Sequence, residues 1–150
     1  MDNILVRVAC SPDLPEILAL YKVLLDEDID FDKAKDMFER IITSDDIFLF
    51  VAEIDGIVVG TIQISLSLGM GFNCRPFVTV EYFVVDERFR NRGIGSALMR
   101  QIDVIAKKEN CAFSFLVSSD KRKDAHRLYY KCGYIENVVG FRKEYKENDV

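Results

Sequence analysis

The stretch Arg90-Asn91-Arg92-Gly93-Ile94-Gly95-Ser96 holds the densest chemistry in the chain. It lies between an apolar run and an amphipathic one, the arrangement of a strand turning into a helix. Glycines at such a turn let backbone N–H groups approach a ligand, and a helix amino terminus gathers unpaired donors and partial positive charge. Phosphate is the natural guest, and Arg90 and Arg92 add fixed charges suited to a pyrophosphate. The alternative is that the two glycines serve only a tight strand-to-helix turn. Neither GxxxxGK[ST] nor GxGxxG is present, so the expected ligand is a phosphate carrier other than a P-loop nucleotide or a dinucleotide.

Glu81 is the second chemical feature, a lone carboxylate among Val78, Thr79, Val80, Tyr82 and Phe83. A carboxyl buried in such a strand binds its proton more tightly, which suits a general base at neutral pH. A structural carboxylate paired with a nearby arginine is the other reading. His126 is the single histidine and has no Cys or His neighbours, which argues against zinc. Cys10, Cys74, Cys111 and Cys132 are widely separated and form no CxxC pair, so reduced thiols are expected, with Cys111 and Cys132 as small core residues. A GxSxG elbow is missing, and one histidine offers no plausible Ser/His/Asp layout.

These residues need elements to hold them. Ile4 to Ala9 alternates as a strand, and Leu14, Ile17, Leu18, Tyr21, Leu24 and Leu25 recur at helical spacing behind Ser11, Pro12 and Asp13. Ala34, Met37, Phe38, Ile41 and Ile42 repeat that period behind Asp32. Ile47 to Ile54 and Ile57 to Leu66 flank Asp55-Gly56, a strong hairpin signal. After a loop from Ser67 to Pro76, Val78 to Val85 reads as a largely buried central strand. Ile94, Ala97, Leu98, Ile102, Ile105 and Ala106 mark a helix whose carboxyl end suits Lys107-Lys108. Cys111 to Val117 predicts a strand, Asp124 to Lys131 a helix stopped at Gly133, and Val138 to Tyr145 a last strand. The tail Lys146 to Val150 is expected to fray.

The whole chain has 150 residues, 49% of them hydrophobic, which fits one mixed α/β domain over 1–150 with a substantial core. Its 25 acidic against 20 basic side chains, a net charge of −5, speak against a generic nucleic-acid partner. No apolar run reaches the roughly 18 to 20 residues of a membrane span, and Met1-Asp2-Asn3 does not open a signal peptide. The expectation is a soluble cytoplasmic protein with neither nucleic-acid nor membrane partners.

As Arg90-x-x-Gly93-x-Gly95, the loop resembles the acetyl-CoA signature of the GNAT superfamily, the Gcn5-related N-acetyltransferases. Arg75-Pro76-Phe77, Val80-Glu81, Val84-Val85-Asp86, Ala125-His126-Arg127-Leu128-Tyr129 and Gly133-Tyr134 are also similar to residues of bacterial members. The resemblance runs from Gly56 to Tyr145. It implies a GNAT-like α/β (α+β) domain with a mixed sheet of about six to seven strands and about four helices. A V-shaped split is implied between the fourth and fifth strands, those holding Val84 and Leu116.

Acetyl-CoA is the implied cofactor, its pantetheine arm in that split and its pyrophosphate wrapped by Arg90, Asn91, Arg92, Gly93, Ile94, Gly95 and Ser96. A bulge near Phe83, Val84 and Val85 is implied to turn backbone N–H groups toward the thioester carbonyl. Glu81 matches the family's acidic position, the implied base. Tyr129 matches its tyrosine, implied to contact the cofactor and to protonate the departing thiolate, since a phenol of ordinary pKa near 10 is protonated at neutral pH. Tyr129 could equally be a core aromatic, although the adjacent Tyr130 is the better candidate for that role. His126 is expected to pack or make a local hydrogen bond. Where members often carry Asn, this chain has Arg122, and the run Lys121-Arg122-Lys123 either reaches CoA phosphates or is a solvated loop.

In this fold the early helices and the loop Leu66 to Pro76 would border the acceptor, which makes Tyr21, Phe72, Asn73, Arg75 and Tyr82 candidates. Arg75 either holds an acidic substrate group or braces the loop against Glu81 or an acidic helix. The acids Asp26, Glu27, Asp28, Asp30 and Asp32 either favour a cationic amine or are solvated helix-end charge. The implied activity is direct transfer of an acetyl group to the primary amine of a small molecule in a ternary complex. The alternatives are acetylation of a protein lysine or amino-terminal amine, and a non-catalytic acyl-CoA-binding regulatory module. Family resemblance also implies a homodimer.

Overall fold

Asp55 and Gly56 both take left-handed backbone, with φ of 51° and 79°, and reverse the chain between two strands of β-branched and aromatic residues. Those strands, β2 (Ile47–Ile54) and β3 (Ile57–Ser67), are the antiparallel centre of a sheet ordered β1-β2-β3-β4-β5. The edges are β1 (Ile4–Val8), antiparallel to β2, and β5 (Ser114–Leu116), parallel to β4 (Phe77–Val85). The computed structural model describes residues 2–147 and forms two units, one up to Leu116 and one from Val117 on. Among the described residues no helix is long and apolar enough to cross a membrane.

In the first unit, α1 (Leu14–Leu25) and α2 (Phe31–Ile42) cover one face of the sheet. Leu14, Ile17, Leu20 and Phe38 are buried against Leu49, Val51, Val58 and Val84. Helix α2 starts earlier than its apolar period suggests, because Asp30 rather than Asp32 caps it by accepting from the Lys33 N–H at 2.8 Å. A four-residue turn, α3 (Gly71–Cys74), interrupts the loop before β4, with Phe72 and Asn73 in left-handed backbone.

Helix α4 (Ile94–Lys108) presses on β3 through Gly60, where an added Cβ would lie 3.1 Å from Leu98 Cδ1 and 3.2 Å from Ile94 Cγ2. Only a residue without a side chain allows that approach. In the second unit, α5 (Lys123–Lys131) ends at Gly133, whose φ is 94°.

Two strand expectations are corrected. The described residues form five strands rather than six or seven, because 134–146 take no regular structure. A strand exists only in a ladder, and the charged run Arg142-Lys143-Glu144 breaks the apolar alternation that would register it. The apolar run Cys111 to Val117 likewise contributes only Ser114–Leu116. Of the tail expected to fray, residues 148–150 lie outside the described residues.

A buried ionic clamp orients α1. Asp13, just before the helix and 4% exposed, accepts Arg7 Nη1 at 2.7 Å, Arg7 Nη2 at 2.8 Å and the Cys10 N–H at 2.8 Å. Arg7 Nε meanwhile donates to Glu53 of β2 at 2.9 Å. The Arg7 guanidinium holds the Asp13 carboxyl below the usual carboxylate range. A carboxylate of depressed pKa contributes stability above its unfolded value, about 3.9, and loses it as the pH falls through the folded one. Asp13→Asn is expected to cost about 2 kcal/mol at pH 7, part of the interaction being screened at the half-exposed Arg7. Urea unfolding at stepped pH should show that gap closing below about pH 4.

Candidate active site

Strand β4 carries an irregularity at the point where chemistry was expected. Thr61 faces Val84 and Gln63 faces Glu81, so two steps on β3 match three on β4, a β-bulge at Tyr82 and Phe83. Tyr82 has a φ of 48°, an outlier for a bulky side chain. The bulge thus begins one residue before the span Phe83 to Val85 implied by resemblance.

Its effect follows from the strand's period of two. Val84 is buried with α1, and Gln63 lies two residues from Thr61, so Glu81 faces the α1 side as Val84 does. In a regular strand Tyr82 would point away from the face of Glu81. Instead its ring lies 5.3 Å from that of Tyr21 on α1, the planes at 37°. Burial pushes the Tyr21 phenol up, helped by Tyr82 and by the negative charge of Glu81. Tyr21, Glu81 and Tyr82 therefore form one cluster.

Glu81 is exposed, against the sequence expectation of burial. Strand β4 is not covered along its whole length, because its parallel ladder with β5 spans only Val78–Val80 against Ser114–Leu116 while β4 continues to Val85. Position rather than burial is what makes Glu81 a candidate. Gln63, directly across the strand pair from Glu81, was not anticipated. Its only signal is a polar residue within the apolar run of β3.

Phe72 and Arg75 belong elsewhere, and Asn73 follows Phe72 in the same short turn. Phe72 packs on Phe113 at 5.4 Å, and Phe113 stacks on Phe77 at 5.0 Å, at the start of β4. Phe77 precedes Glu81 by about 13 Å of strand. Arg75 donates from Nε to the Asn110 carbonyl oxygen at 3.1 Å and from Nη2 to that of Cys111 at 2.6 Å. It is a brace, but on the turn after α4 rather than on Glu81 or an acidic helix.

At the other end of β4, Phe83 and Val84 are buried and Val85 is half-buried, paired with Gly60. The chain then turns through Glu87–Phe89 and reaches Gly93, the residue before α4, with φ of 85°. An added Cβ at Gly93 would meet nothing within 4 Å, so the space above the helix end is open. Ala97 makes the first helical bond, to the Gly93 carbonyl oxygen at 3.0 Å, so the N–H groups of Ile94, Gly95 and Ser96 have no acceptor one turn back in the helix. Arg90 and Asn91 are exposed beside them. Arg92 reaches Asp2 at 3.3 Å and lies 5.1 Å from the Phe89 ring centre. Open donors, a helix dipole and two arginines fit a pyrophosphate-bearing group.

In the second unit the two tyrosines exchange the places expected of them. Tyr129 is 6% exposed and Tyr130 is 52% exposed, since α5 turns the former inward toward His126 and Tyr134. Burial pushes the Tyr129 phenol up, opposed by Arg122 and by a hydrogen bond with Ser118. It is therefore protonated at neutral pH. His126 makes the local contacts expected of it, 3.2 Å to Ser118 Oγ and 2.9 Å to the Ser119 carbonyl oxygen.

Residues 14–134 match the Acetyltransferase (GNAT) family, and the chain belongs to that family. It is an acyltransferase. Over 91% of the chain and 88% of the relative, it is 26% identical to an aminoalkylphosphonate N-acetyltransferase of Salmonella typhimurium. A putative acetyltransferase from Agrobacterium tumefaciens superposes with a TM-score of 0.86 at 28% identity, covering 94% of this chain and 99% of that one. An aminoglycoside N-acetyltransferase solved with CoA gives a TM-score of 0.79 at 22% identity, over 95% and 96% of the two chains, a likeness of fold alone.

Gly93→Ala is expected to lose about 1 kcal/mol of stability, the cost of left-handed backbone in a residue with a Cβ. Because the site has room, Gly93→Asn should lose less, Asn tolerating that conformation. Thermal unfolding of the two variants side by side checks the order.

Proposed function

We propose that the protein transfers the acetyl group of acetyl-CoA to a primary amine of a small molecule, by direct attack with both substrates bound. The observation that carries this reading is the β4 bulge, which turns Glu81 toward α1 in a strand that leads to the α4 amino terminus. When bound, acetyl-CoA supplies an activated acyl carbon and a thiolate leaving group.

The chain's own residues do the rest. Backbone N–H groups of Ile94, Gly95 and Ser96, with Asn91 and the side chains of Arg90 and Arg92, hold the pyrophosphate. Backbone N–H groups in the Phe83 to Val85 segment stabilise negative charge developing on the thioester oxygen. Glu81 accepts a proton from the arriving ammonium, directly or through a water, which frees the nitrogen lone pair for attack. Tyr129 holds its proton at Oη and delivers it to the departing sulfur. Burial suits Tyr129 to that part, since a phenol with a raised pKa stays protonated across the working range.

One observation favours a second reading, acceptance of a protein lysine or amino-terminal amine: Glu81 and Tyr82 are open to solvent. A thiol-release assay across diamines, amino sugars, aminophosphonates and peptides separates the two, and binding of acetyl-CoA without turnover on any amine would overturn both. Glu81→Gln is expected to lower kcat/KM about a hundredfold, and Tyr129→Phe to lower kcat by about tenfold or more. The alkaline limb due to Tyr129 should begin above about pH 10, the ordinary tyrosine value, and should vanish in Tyr129→Phe.

A further inference from the structure

We propose that Tyr21 and Tyr82 form an aromatic wall beside Glu81 that selects acceptor amines bearing a second cationic group over amines bearing an anionic one. This rests on the reading of Glu81 as the residue that meets the acceptor. Three features of the cluster converge on it.

The first is backbone geometry. A tyrosine at φ 48° is strained, and strain held by surrounding structure collects at functional sites. Here it places the Tyr82 ring on the same side as Glu81, against Tyr21. The second is accessibility. Tyr82 is 44% exposed and Glu81 is exposed, so an aromatic residue and a carboxylate are presented to solvent together. An alkylammonium is attracted to both, to the ring by its quadrupole and to the carboxylate by charge.

The third is the sign of the surrounding charge. The connection after α1 carries Asp26, Glu27, Asp28 and Asp30, beginning about 7 Å along the helix axis from Tyr21. Lys22, next to Tyr21 in sequence, is engaged by Asp28. Arg75, the sequence candidate for holding an acidic group, is committed to two carbonyl oxygens at the far end of β4. A phosphonate or carboxylate on the acceptor would meet Glu81 and the acidic connection, whereas a second ammonium is welcomed by both. The selected class is thus a diamine, a polyamine or a sugar bearing more than one amine, and it differs from the substrate in the name of the Salmonella typhimurium relative.

The test compares three amines of similar length, 1,4-diaminobutane, n-pentylamine and 3-aminopropylphosphonate, by steady-state thiol release with saturating acetyl-CoA. The diamine is expected to lead n-pentylamine by about tenfold in kcat/KM, through KM, with the phosphonate last. Tyr82→Phe should keep that order, because the ring remains. Tyr82→Asn, which tolerates the left-handed backbone but lacks the ring, should lower the diamine-to-pentylamine ratio severalfold, the remaining preference being that of the acidic side chains. Tyr21→Leu should lower the same ratio and serves as the second variant if Tyr82→Asn does not fold. Equal or greater use of the phosphonate, or an unchanged ratio in the ring-less variants, would overturn the selection while leaving the acetyltransferase reading intact. Failure of all three amines, with acetyl-CoA binding retained in calorimetry, would overturn the small-molecule reading of the acceptor and this inference with it.

Discussion

Between Thr61 and Gln63 of β3 stands one residue, and between their partners Val84 and Glu81 of β4 stand two. A strand alternates its side chains strictly, so consecutive residues serve one face only where the ladder is broken in this way. The break lets Glu81 and Tyr82 act together on the α1 side. It is costly, since a bulky residue in left-handed backbone gives up about 1–3 kcal/mol. The flanking ladder absorbs that cost. Val78 to Val80 are paired on both sides, with β3 and with β5, and Val84 and Val85 are paired with β3 beyond the bulge.

The same strand links the acceptor side to the phosphate side. Val85 pairs with Gly60, and Gly60 is where Ile94 and Leu98 of α4 press on β3. The amino end of α4, with its open donors, is thereby fixed against the residues that also hold the far side of the bulge. A chain of net charge −5 can still present local positive potential there, because a helix dipole and Arg90 act over a few ångströms while net charge is spread over the whole surface.

Much of this was legible from local chemistry. Asp55-Gly56 had to turn, the 3.6-residue period of α4 had to form a helix, and Gly93 ahead of it had to open a donor-rich end. What escaped depended on partners distant in sequence. A bulge was implied by resemblance near Phe83 to Val85, but no residue pattern there places it at Tyr82, since φ at Tyr82 is set by the register of two ladders. The exposure of Glu81 reflects a parallel ladder that ends at Val80, and a one-dimensional pattern reads such a strand as buried throughout. Arg75 found carbonyl oxygens rather than a carboxylate because the α4 turn passes it in space. Tyr129 and Tyr130 are adjacent, so the phase of one short helix decides which is buried. Residues 138–145 have strand-forming composition but form no ladder among the described residues.

The tyrosine pair also depends on structure far from itself. Tyr21 rides on α1, and α1 is set by Asp13, whose carboxylate is gripped by Arg7 of β1 while Arg7 reaches Glu53 of β2. The clamp joins the helix start to the two strands farthest from β4. Apolar packing of Ile17 and Leu20 favours contact with the sheet but fixes rotation and height only loosely, because hydrophobic burial has no direction. Directional bonds to a buried carboxylate supply what burial lacks. A bidentate arginine contact restricts where the first turn of α1 can lie, and Tyr21 follows about two turns later. The geometry at Glu81 is thus set from two directions, by a ladder mismatch within the sheet and by an ionic clamp at its edge.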